Sequence, residues 1–139
     1  MPDGIAMNVD TMRLELIIAT LPRQGENMVA GIATEMVNDM KQGMLNSPAD
    51  GITYTRGGVS HTSSSPGNPP RPDTGELVGS ITHTKTGVME QTIHDQVEHG
   101  KWQELGTEFI EARPWMVPVF EEWRVGKFAN FVNSFPLVE

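Results

Sequence analysis

Residues 24–45 read QGENMVAGIATEMVNDMKQGML, and this run decides the fold. Met28, Ile32, Met36, Met40 and Met44 recur at every fourth position, and Val29, Ala33 and Val37 widen the stripe. Glu26, Asn27, Glu35, Asn38, Asp39 and Lys41 fill the other side. This spacing predicts an amphipathic helix of about six turns with one apolar face. A methionine stripe can act as an adaptable docking surface, but at helical spacing it reads first as core. Gly43 and then Asn46-Ser47-Pro48 end the helix.

Upstream, Ile5, Met7 and Val9 alternate within an extended leader over residues 1–10, as in an edge strand or an arm that pairs with another chain. Residues 11–21, TMRLELIIATL, fit a strand through Met12, Leu14, Leu16 and Ile18. They equally fit a helix through Leu14, Ile17, Ile18 and Leu21. A short helix broken or redirected at Pro22 is the preferred reading.

Downstream, residues 52–55 can form a brief strand. Residues 56–75, RGGVSHTSSSPGNPPRPDTG, hold too little apolar surface to build their own packing. A flexible Gly/Ser/Pro arm is therefore expected over 57–76, stiffened toward an extended form by Pro66, Pro69, Pro70 and Pro72. Residues 77–85 and 88–95 read as a hairpin around Thr86-Gly87. Trp102 and Leu105, between Gly100 and Gly106, fit one side of a short helical turn. A closing helix spans 118–132, with Pro118 at its first position and Val119, Phe120, Trp123, Phe128, Phe131 and Val132 as its apolar side. The expected architecture is one α+β domain over 1–139: a long N-terminal helix and a C-terminal helix packed on a small antiparallel β-sheet, with a long arm. A sheet of few strands leaves open edges, which neighbours in an assembly can use as joints.

Composition narrows the chemistry. The 139 residues include no cysteine, which removes disulfides, thiol nucleophiles and Cys-ligated zinc. That fits synthesis in a reducing cytoplasm. No apolar run reaches membrane-spanning length, and Met1-Pro2-Asp3-Gly4 lacks the basic start of a secretory signal. The net charge of -8 opposes specific binding to a phosphate backbone. His94, Glu98 and His99 form H-x-x-x-E-H, whereas zinc-helix motifs place both histidines on one face. Surface histidines beside a carboxylate are the plainer reading, and His61 and His83 join them only if the fold requires it. Neither a Gly-x-Ser-x-Gly elbow nor a Gly-x-x-x-x-Gly-Lys loop occurs, and Glu108 with Glu111 reads as solvated charge. Arg113 and Trp115 are the one candidate cation–π pair. No catalytic, cofactor-binding or metal-binding residue is expected, and the chain is read as a non-enzyme. A metal-dependent hydrolase on His94, Glu98 and His99 is a distant alternative, and a toxin-like or regulatory binding module is another.

Two stretches carry a resemblance. Ser65-Pro66-Gly67, a proline run, and Asp73-Thr74-Gly75-x-Leu77-x-x-Ser80-Ile81 form the first. Glu104-Leu105-Gly106-Thr107 and Ala112-Arg113-Pro114-Trp115-Met116-Val117-Pro118 form the second. In order and spacing, over roughly residues 24–132, this set resembles the neck or tail-completion proteins of tailed bacteriophages, the minor tail protein Z family. Where that family carries a Tyr-Ala pair ahead of the Glu-x-Gly-Thr element, this chain has Lys101-Trp102.

The resemblance implies a virion protein of the head–tail junction, made in the host bacterial cytoplasm. It implies identical subunits in a ring, with a hexamer as the expected number. Neighbouring head-completion and tail-tube or terminator proteins are the implied partners, and DNA passes through without specific binding. Tail terminator, head-closure and adaptor roles at the same junction are the alternatives. Assembly residues carried over are Pro66, Gly67, Asp73, Thr74, Gly75, Leu77, Ser80, Glu104, Gly106, Thr107, Arg113, Pro114 and Pro118. Residues 57–72 and Arg113 are the pieces for which a contact between subunits is weighed equally with a role inside the subunit. An acidic lumen would let DNA slide.

Overall fold

A computed structural model describes residues 6–8 and 22–135. The helix expected over 11–21 lies outside the described residues, as does Pro136. The long helix α1 spans Pro22–Leu45, starting at the proline, where a missing N–H costs nothing. Its stripe is core: Met28, Ile32, Met36, Met40 and Met44 are all buried. Helix α1 packs against a three-stranded antiparallel sheet of order β1-β5-β4, formed by β1 (Ala6–Asn8), β4 (Thr82–Gly87) and β5 (Glu90–His94). The leader thus contributes an edge strand to its own chain, with Ala6 opposite His94 and Asn8 opposite Thr92.

The expected hairpin is present, but shifted. Its turn is Val88-Met89, since Gly87 pairs with Glu90. Met89 takes a positive φ of 52°, is buried, and donates its backbone N–H to Glu26 Oε1 at 2.8 Å. Burial and that hydrogen bond outweigh the turn preference of Thr86-Gly87. The strand expected from residue 77 begins at Thr82, because Glu76–Ser80 forms a short helix, α2.

The expected arm contains structure. Strands β2 (Thr53–Arg56) and β3 (Val59–Thr62) form a two-stranded hairpin turning at Gly57-Gly58, whose φ values of 58° and 81° suit glycine. Its ladder is polar: Thr53 and Thr62 hydroxyls lie 2.8 Å apart, Thr55 and Ser60 hydroxyls 3.2 Å. Irregular backbone follows over 63–75.

Helix α3 spans Glu98–Leu105. The closing helix comes in three parts: α4 (Val117–Glu122), a π-helical turn (Trp123–Lys127) and α5 (Phe128–Ser134). Trp123 and Phe128 stand five residues apart, a step that misses one face of an α-helix. The i→i+5 turn brings Phe128 and Phe131 back to the side of Trp123. The Trp123 and Phe131 rings lie 6.0 Å apart, and the Trp123 indole N–H reaches Asp39 on α1 at 2.9 Å. Among the described residues, no helix is long and apolar enough to cross a membrane.

Candidate functional site

The two stretches behind the resemblance meet in space. Within the second stretch, Glu104, at the end of α3 and only 5% exposed, ties its two halves together. Its Oε1 accepts the backbone N–H groups of Met116 at 2.6 Å, Val117 at 3.2 Å and Trp115 at 3.3 Å. One carboxylate therefore closes the start of the C-terminal helix, where the macrodipole favours negative charge. The Trp115 indole N–H donates to the Gly100 carbonyl at 2.9 Å. Gly100 is required by close approach: a Cβ there would fall 1.7 Å from Asp95 Oδ2 and 2.8 Å from Leu77 Cδ1.

Arg113 links this clamp to the irregular segment. Its backbone N–H donates to the Gln103 carbonyl at 2.6 Å, and its Nε donates to the Ser64 carbonyl at 3.0 Å. The Gly67 N–H donates to the Ala112 carbonyl at 3.0 Å. Arg113 and Trp115 do not form the cation–π pair weighed from sequence; Arg113 Nε donates to the Ser64 carbonyl and the Trp115 indole N–H to the Gly100 carbonyl. Arg56 lies over the Tyr54 ring instead, 5.6 Å from its centroid.

Further hydrogen bonds pin residues 63–75. Buried Ser64 and Ser47 hydroxyls both donate to the Pro69 carbonyl, at 2.8 and 2.5 Å. The Ser65 N–H donates to Asp50 at 2.8 Å and holds that carboxyl below its ordinary range. Asp73 gathers the hairpin: Tyr54 OH donates to it at 2.9 Å, Arg56 Nη1 lies at 3.4 Å and His61 Nδ1 at 3.9 Å. Burial, then the hydrogen bond to Asp73, raises the Tyr54 phenol. Arg71 donates to the Thr62 carbonyl.

The remaining motif residues have local roles. Thr74 Oγ1 accepts the Glu76 N–H at 3.3 Å, and Gly75 takes a φ of 82° before α2. Leu77 is buried, and the Ser80 hydroxyl donates to the Leu77 carbonyl at 2.8 Å. Pro118 sits in the first turn of α4. Pro66 is exposed and Pro114 half-buried.

Gly106 and Thr107 build a loop. Gly106, at φ 75°, donates its N–H to Trp102 O at 2.8 Å and ends α3. The Thr107 N–H donates to Ile110 O at 2.9 Å, while Thr107 Oγ1 accepts the N–H groups of Phe109 at 3.1 Å and Ile110 at 3.2 Å. This closed turn leaves Phe109 86% exposed and Leu105 66% exposed, between exposed Glu108 and Glu111.

A cavity of about 560 Å³ opens between the β2–β3 hairpin, residues 70–78 and the end of α3. Ile52, Tyr54, Arg56, His61, Arg71 and Leu77 line it, with Asp73, His99 and Arg113. Sequence reading missed this cavity together with Tyr54, Arg56 and His61. The Gly-Gly pair between two β-prone runs was the signal for the hairpin that forms its wall. His94 does not converge with His99: its Nε2 lies 2.9 Å from Thr84 Oγ1, while His99 lines the cavity. Among the described residues, no three His, Asp or Glu side chains come together as a metal-ligand set. Comparison with protein-family models, curated proteins and solved structures gives no match to this chain.

Proposed function

We propose that this chain is a structural subunit of the head–tail junction of a tailed bacteriophage, a neck or tail-completion protein that works in a ring. The observation that carries the reading is the hydrogen bond between its two motif stretches, from the Gly67 N–H to the Ala112 carbonyl, with Arg113 Nε donating beside it to the carbonyl of Ser64, the residue before the first stretch. The motifs lie about forty residues apart in sequence and form one clamp. The loop that joins the two halves of the second stretch presents Phe109 86% exposed.

Two further features support it. Among the described residues, β1 and β4 are the edge strands of their sheet, and the β2–β3 hairpin stands apart as a second pair. Neighbouring copies can extend or cover such edges. The charge of -8 suits a passage that DNA crosses without adhering. In this role the chain catalyses nothing, binds no cofactor, and contacts its own copies, the head-completion proteins and the tail tube or terminator. Six copies is the number the resemblance implies.

Light scattering and negative-stain imaging of the purified chain, alone and mixed with isolated phage tails, test the proposal. Rings wide enough for a DNA duplex, seated on the head-proximal end of tails, are expected. A single subunit in every condition, with no tail binding, contradicts it.

A further inference from the structure

The molecule carries an aromatic knob and a hole that does not receive it. Phe109 stands out on a loop closed by Thr107, so its exposure is built in. The cavity beside the β2–β3 hairpin has apolar lining from buried Met44 and Leu77 and from exposed Ile52. Its volume of about 560 Å³ falls within the range of roughly 300–1,000 Å³ typical of sites that enclose a bound group. Charges are arranged to match. The knob is flanked by Glu108 and Glu111, both exposed. Arg56, Arg71 and Arg113 line the hole with His61 and His99, on a chain whose net charge is -8. Two acids, Asp73 and Glu76, also line it, and Asp73 is already shared by Tyr54, Arg56 and His61.

We propose that the cavity receives the Phe109 loop of a second copy of this chain, ring against the apolar lining and flanking glutamates toward its arginines, Arg56 foremost. This rests on the ring reading above and names its subunit contact. Knob and hole are different patches, so the contact can be made head-to-tail, which is the form the ring reading requires. Repeated head-to-tail, such a contact gives a ring where its rotation closes and an open filament where it does not.

Sedimentation velocity over a concentration series tests it, with circular dichroism as a check on folding. Phe109→Glu removes the knob. Arg56→Glu and, as a second hole variant at an exposed lining position, Ile52→Glu block the hole. Each is expected to raise the concentration needed for assembly at least tenfold while the fold persists. Mixing Phe109→Glu with Arg56→Glu supplies one good hole and one good knob, so a two-chain complex and nothing larger is expected. Variants that assemble like the parent overturn this contact and leave the ring reading standing. A mixture that stays monomeric overturns the head-to-tail geometry. A parent chain that is monomeric at every concentration overturns the contact and removes support from the ring as well.

Discussion

Glu104 is the residue on which the local structure turns. Two of the three N–H groups it accepts belong to buried residues, Trp115 and Met116, where water cannot replace the carboxylate. Leaving a buried donor unpaired costs about 1–3 kcal/mol. Glu104→Ala should therefore lower stability by about 2–5 kcal/mol, read as a drop in the urea midpoint. Glu104→Gln keeps one acceptor and the shape but loses the charge, and a loss nearer ~1 kcal/mol is expected. Equal effects of the two variants would show that packing, not hydrogen bonding, holds the clamp. Gly100 tests the same region from the steric side. Its missing Cβ is the space that Asp95 and Leu77 occupy, so Gly100→Ala should cost about 1–3 kcal/mol or more by overpacking. An unchanged melting temperature would contradict the close approach.

Helix α1 was the most legible element, because five apolar residues at i+4 spacing leave one way to bury them. The structure keeps that stripe, and Met36→Ala, at a fully buried position, should cost about 2–5 kcal/mol in the same urea experiment. The closing helix was legible in extent but not in pitch, since the five-residue step from Trp123 to Phe128 makes sense only once a π-turn is allowed. The β2–β3 hairpin escaped notice because its strands face water with Thr, Ser and Tyr and show no apolar alternation. For the same reason the cavity it borders was invisible from sequence. The β4–β5 turn was displaced by a partner 63 residues away, Glu26, which no local pattern reveals. That tie also gives a pH dependence. The Met89 N–H, with help from Lys85, holds the Glu26 carboxyl below its ordinary value of 4.5. A lowered folded value means stability that is complete above the unfolded pKa and lost as pH falls through the folded one. Thermal melts across the acid range should show the parent losing stability below about pH 4.5, and Glu26→Gln should flatten that fall. Parallel curves for the two would contradict the tie.

For the whole molecule, three properties combine: a core built around α1, sheet edges left unpaired among the described residues, and a net charge of -8. The first makes a stable subunit, and the other two suit it to a place among copies around DNA. Of the region expected as a loose arm, residues 57–62 belong to the hairpin and hydrogen bonds pin the irregular backbone that follows. Docking a pre-ordered piece forfeits less conformational entropy than docking a coil. Hydrogen exchange should accordingly show Ser65 and Gly67 amides protected in the free subunit. Exchange at the rate of unstructured peptide there would mean that these bonds form only on assembly. If the proposed function holds, reconstruction of intact phage particles is the deciding measurement. A ring of copies is expected around the DNA where head meets tail, with the Phe109 loop of each copy against the next. Particles whose junction lacks the chain altogether would contradict it.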